Sequence, residues 1–176
     1  MDPLKLLAHP VRLRVIHALR GGRVLTAGRL SERVGDVSKA TLYRHLDLLT
    51  EAGVLEIAEE RRVRGAVERH YRLRGERAGI DSAQAAELTK DDHRVGFAAA
   101  TAALQAEFAA YLERQDSDPA ADLVGYRQHA VWLSREELET LISALRAAIL
   151  PALENEASEQ RSQYLLSPIL FPIEQS

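Results

Sequence analysis

Residues 37–55 run Val37-Ser38-Lys39-Ala40-Thr41-Leu42-Tyr43-Arg44-His45-Leu46-Asp47-Leu48-Leu49-Thr50-Glu51-Ala52-Gly53-Val54-Leu55, and this stretch decides the fold. Ser38 is a good helix cap, because its side-chain oxygen can accept from an amide of the first turn. Gly53 stops the helix about fifteen residues on. At 100° per residue Leu42, Leu46 and Leu49 share a narrow arc with His45 at its border. Arg44 points almost opposite, with Ala40 and Asp47 beside it and Thr41 and Tyr43 on the flanks. Lys39 stands at the N-terminal end. One side of this helix is a leucine seam to be buried; the other offers Lys39, Thr41, Tyr43 and Arg44.

Working outward, Thr26 caps a preceding helix that runs to about Val34, with Leu30 and Val34 facing inward, and Gly35-Asp36 makes the turn between the two. Two short helices across a tight turn outline a helix-turn-helix. Further upstream, Asp2-Pro3 opens a helix whose buried face is Leu4, Leu7, Val11, Val15 and Leu19. Pro10 predicts a break near His9, because proline disfavours helical backbone in the residue before it; Gly21-Gly22 ends the element.

Downstream, Val54-Leu55-Glu56-Ile57 and Val67-Glu68-Arg69-His70-Tyr71-Arg72-Leu73 have strand character. Between them, Glu59-Glu60-Arg61-Arg62-Val63-Arg64-Gly65 is expected to form a turn region. A hairpin tipped by Arg61, Arg62 and Arg64 directly after the third helix is a wing. These residue types suit a polyanion. Arginine can donate two bonds to a guanine edge, and threonine can bond a base or pack on a thymine methyl. Guanidinium groups on a hairpin reach phosphates or the minor groove. Glu59 and Glu60 are expected to brace the arginines when DNA is absent.

Two segments resemble the ArsR-type winged-helix repressors. Leu7-Ala8-His9-Pro10-Val11-Arg12-Leu13-Arg14-Val15-Ile16 is similar to that family's opening helix. The stretch from Val37 to Leu46, with Leu49 and Glu51-Ala52-Gly53-Val54-Leu55, is similar to its recognition helix and exit. The resemblance covers residues 3–75 and implies a dimeric DNA-binding regulator whose recognition positions are Ser38, Lys39, Thr41, Tyr43 and Arg44. Tyr43 departs from the small polar residue usual there, which leaves the base preference open.

Charge divides the chain. The net −3 of the 176 residues conceals 16 Lys+Arg against 10 Asp+Glu in residues 1–80 and 7 against 16 in the remainder. A basic half and an acidic half point to a polyanion partner at one end only. In the acidic half, residues 81–114 are expected to be helical, with a break near Lys90. Phe97, Thr101, Leu104, Phe108 and Tyr111 form one heptad seam, and Val95, Ala99, Ala102, Ala106 and Ala109 a second of small side chains. Ser134-Arg135-Glu136-Glu137 is a capping box opening a helix whose buried face is Leu138, Leu141, Ile142, Leu145 and Ile149. Residues 126–133 and 164–172 are expected to be paired strands.

No cysteine is present, so thiolate metal sites and disulfides are excluded. The carboxylate–histidine site known in some ArsR-type proteins is matched by Asp91-Asp92-His93, but position 104 is Leu and only Glu107 remains of its second half. No metal and no cofactor is expected. Neither a nucleophile elbow nor a phosphate-cradling glycine loop appears, so an enzyme is not expected. The most apolar stretch, residues 97–104, is far shorter than the ~20 residues that span a bilayer, and no membrane association is expected.

The sequence thus predicts a mainly α chain with small β: a winged helix-turn-helix over residues 1–75, then an α+β region over 76–176. The expected partners are double-stranded DNA and a second copy of the chain, in a bacterial cytoplasm; 20 Arg against 3 Lys hints at a GC-rich source. The acidic half is left with dimerisation, binding of a small-molecule effector, or both. The alternative is a winged-helix module that holds a partner protein and no DNA.

Overall fold

The computed structural model describes residues 6–63, 65–74 and 87–173. Leu6 and Leu7 are helical, and after the break at residues 8–9 come α1 (Pro10–Leu19), α2 (Ala27–Val34) and α3 (Lys39–Glu51). Leu25–Thr26 forms a short strand, β1, before α2, and β2 (Leu55–Val63) and β3 (Ala66–Leu73) follow α3. The three strands make one antiparallel sheet in the order β1-β3-β2.

Each helix starts where its capping chemistry lies. His9 is extended and accepts the Val11 amide through Nδ1, ahead of Pro10 in the first turn of α1. Thr26 accepts from Arg29 N–H and Ser38 from Thr41 N–H, both at 3.2 Å. Gly53 leaves α3 at φ +72°, the left-handed region in which a side chain would be strained. The expected opening at Asp2-Pro3 lies outside the described residues; the expected break before Pro10 is present.

One apolar core joins these pieces. Val15, Leu19, Leu30, Val34, Leu42, Leu46, Leu49, Leu55 and Tyr71 are at most 1% exposed. Arg14 is a charged residue sealed against this core. Its Nη1 donates to Asp36 Oδ1 at 2.6 Å in the α2–α3 turn, and its Nε lies 3.7 Å from Glu107. One guanidinium therefore fastens the first helix to the helix-turn-helix corner and to the acidic half.

That half contains α4 (Lys90–Leu112) and α5 (Arg135–Leu153). Thr89 and Asp92 form a capping box at the start of α4, and Ser134 and Glu137 another at the start of α5. α4 packs on α1 with Ala99 and Ala103 as its buried residues, so small side chains allow close approach. Among the described residues α4 is the helix long and apolar enough, by length and composition, to cross a membrane. Its aromatic seam faces away from α1, with Phe97 edge-on to Phe171 at 6.4 Å and Phe108 edge-on to Tyr126 at 6.5 Å.

Two expectations for this half fail. Residues 126–133 and 164–172 are not strands: among the described residues no main-chain hydrogen bond joins either segment to another, and a strand without a partner forms no ladder. The expected buried face of α5 is not buried, and no residue of that helix is. Its amphipathic pattern is present, but among the described residues Leu138 and Ile149 are only half-buried and Leu141, Ile142 and Leu145 are exposed.

Leu46→Ala should remove about 2–5 kcal/mol of stability, read as a lowered urea midpoint. A loss well under 1 kcal/mol would show that the seam under α3 is not closed.

Candidate nucleic-acid interface

Burial of Leu42, Leu46 and Leu49 fixes the rotation of α3 and turns its other side to solvent. Ser38 is exposed and committed to the cap, its Oγ also donating to Thr41 Oγ1 at 3.0 Å. Thr41 is half-buried as a result. Lys39 and Arg44 are exposed, with no carboxylate partner among the described residues. Tyr43 is half-exposed and borders a recess shared with Ala27, Gly28, Val67 and Arg69. Lys39, Tyr43 and Arg44 therefore share an open surface; Ser38 and Thr41 sit at its N-terminal edge.

Beneath that surface lies a feature the sequence does not announce. His45 is buried, its ring 4.4 Å from that of His9 and tilted by 47°. Burial, then the neighbouring His9, Arg12 and Arg44, push the His45 pKa down to about 4. His9 is lowered by burial and by the same two arginines. Two neutral imidazoles are thus wedged beside two cations.

Arg12 belongs to this group and was missed from sequence. Its guanidinium is half-buried, with Nε sealed from water and without a partner, and burial lowers its pKa. A signal was available. Arg12 lies in the first turn of α1 and Lys39 in that of α3, and neither turn holds an acidic residue. A cation there opposes the helix dipole, whose N-terminus favours an anion. An incoming phosphate would relieve both.

The strands of the wing are longer than expected. β2 continues to Val63, which pairs with Ala66, and Gly65 between them has φ +85°. Arg61 and Arg62 are consequently strand residues, opposite Glu68 and Val67. Arg64 lies outside the described residues. The register slips between Ile57 and Glu59, a bulge that reverses which side chains face each way beyond it.

Carboxylates on the hairpin hold most of its guanidinium groups. Arg61 Nε donates to Glu59 at 2.7 Å, Arg69 Nε to Glu60 at 3.0 Å, and Arg72 and Arg74 both reach Glu56. The hydrogen bond from Arg61 lowers the Glu59 pKa. Glu59 therefore braces Arg61 as expected, whereas Glu60 holds Arg69. Arg62 has no ion pair among the described residues.

The possible metal ligands are dispersed. Asp92 belongs to the α4 cap, Asp91 pairs with Arg94, and Glu107 faces Arg14 and His17 across the α1–α4 contact.

Three helices in this order with a two-stranded hairpin define a winged helix-turn-helix. Residues 7–58 match the family model of a helix-turn-helix domain, which takes in α1 to α3 and the first residues of β2. No curated protein matches the chain. The N-terminal part is accordingly a helix-turn-helix of the DNA-binding kind. The match stops short of β3 and the whole acidic half.

Because the His45 pKa is lower in the folded chain than in the unfolded one, its contribution to stability is complete above about pH 6.5. It is lost as pH falls through 6.5 toward 4, where the unfolded chain takes up the proton first. Urea unfolding across that range should show a decline of roughly 3 kcal/mol that His45→Leu reduces. Equal slopes in the two proteins would remove His45 from this role.

Proposed function

We propose that this chain is a sequence-specific transcriptional regulator of the ArsR type, a repressor that acts as a homodimer in a bacterial cytoplasm. The observation that carries the reading is the outer face of α3: Lys39, Tyr43 and Arg44 stand in solvent because the opposite face is locked into the core. In this reading α3 enters the major groove with Lys39 and Arg44 at base edges. Ser38 and Thr41 meet the groove wall, and Arg12 meets a flanking phosphate. The wing lies over the backbone or minor groove, with Arg62 and Arg64 first in contact. Arg61 joins by exchanging Glu59 for phosphate. Paired heads in a symmetric dimer would read half-sites about one helical turn, ~34 Å, apart. A small effector that altered the angle between the heads would regulate such a protein. No catalytic group is needed.

The alternative, a winged-helix module that holds a partner protein, has one observation in its favour: the large apolar surface left open on the acidic half. Unpaired cations at Arg12, Lys39, Arg44 and Arg62 weigh against using the winged helix itself for an apolar partner, since burying them uncompensated is costly.

Selection of bound sequences from random duplex at moderate salt tests the reading, and a chain that enriches nothing would refute it. With an operator in hand, Arg44→Ala should cost about 1–3 kcal/mol on that site and far less on random duplex. Equal losses on both would contradict base contact by Arg44.

Wing contacts are read in the salt dependence. Arg62→Ala should lower the slope of log affinity against log salt by about 0.9. Arg61→Ala should lower it less, because Arg61 must first give up Glu59. A slope unchanged by both substitutions would take β2 off the phosphates.

A further inference from the structure

We propose that residues 123–173 form an arm whose apolar side is covered by a second copy of the chain. The arm, rather than the winged helix, would then make the dimer obligatory. This deepens the dimer of the reading above and takes from it only the need for two heads.

α5 is the clearest sign. Leu138, Leu141, Ile142, Leu145 and Ile149 make a stripe along about three turns, yet none is buried. Most helical stability in proteins comes from packing such a stripe rather than from the helix's own hydrogen bonds. The flanking segments repeat the pattern. Trp132 is 85% exposed and Leu166 67%, and the segments around them have no regular secondary structure and no main-chain hydrogen bond to the main chain of the other described residues. Unpaired backbone beside apolar side chains is a template for another chain.

Total area supports the same conclusion. A compact monomer of 19.5 kDa should expose roughly 8,500 Å², whereas this chain exposes 13,541 Å². The excess is greater than the undescribed residues could supply if all were fully exposed. Stable obligate homodimers bury about 1,000–2,500 Å² per protomer, so the excess more than meets the need.

The polar stretch inside the arm already has its place on its own chain. Ala157 N–H donates to Gly21 O at 3.2 Å, Gln163 Nε2 donates to His17 O at 2.7 Å, and Arg23 donates to Gln163 Oε1 at 2.7 Å. The tail is thereby docked at the end of α1, and the parts left uncovered are the apolar ones on either side. A partner needed for each chain to fold must always be present at matching concentration, and another copy meets that condition.

Trp132 is the chain's only tryptophan, so it reports on the arm without a label. The test joins sedimentation equilibrium of the full chain without DNA to iodide quenching of Trp132. The expected result is a particle of twice the chain mass with Trp132 blue-shifted and shielded. Leu145→Glu, outside the winged-helix core, should give a monomer that quenches several-fold more readily while still binding duplex non-specifically. A wild-type monomer overturns the proposal, whether Trp132 is quenched or shielded. So does a Leu145→Glu dimer that stays shielded, or shielding that appears only on phosphatidylglycerol vesicles. A shielded dimer with no affinity for duplex would uphold the arm and refute the regulator; a monomer that selects an operator would do the reverse.

Discussion

The seating of Leu42, Leu46 and Leu49 in the core is the constraint on which the rest of the molecule depends. An α-helix shows its sides at a fixed period, so sealing one arc decides what every other position does. With that arc held against α1, α2 and the sheet, Lys39, Tyr43 and Arg44 have nowhere to go except outward. The wing follows from the same packing: Leu55 and Tyr71 close the core from below and set where β2 and β3 leave it. Interface geometry here is a by-product of core packing.

Charge is managed around that frame by pairing or by neutrality. Arg14 is sealed in and paired with Asp36, while Arg61, Arg69, Arg72 and Arg74 are held by carboxylates of their own hairpin. His9 and His45, packed beside Arg12 and Arg44, are kept neutral, because a charge there would be both desolvated and repelled. On the winged helix, Lys39, Arg44 and Arg62 are among the cations left without an ion pair among the described residues.

The N-terminal half was legible because its signals are local. Thr26 and Ser38 cap where the sequence places them, Pro10 breaks the first helix, and Gly53 ends the third. The strand lengths were less so: Glu59 to Val63 carries charges that suit a turn or an exposed edge equally, and only its pairing with residues 66–70 extends β2. Arg12 was missed because its place beside His9 and His45 comes from packing, and the one local signal, a cation in an acid-free first turn, was not read. In the acidic half, the Ser134 capping box gave the start of α5, whereas the Thr89–Asp92 box that opens α4 was not read. The periodicity of α5 and the β-like runs at 126–133 and 164–172 showed which side chains want burial, but not that their cover must come from elsewhere. An amphipathic pattern specifies a face and leaves its occupant unstated.

Amide chemical-shift mapping of the ¹⁵N-labelled chain against its selected duplex, at moderate salt, is the most direct measure of whether the leucine-backed helix is the reading element. Perturbations should concentrate on residues 38–44, the first turn of α1 and the β2–β3 hairpin, leaving Leu46 and Leu49 little changed. Perturbations centred on α4 or α5, or none while the duplex is bound, would contradict it.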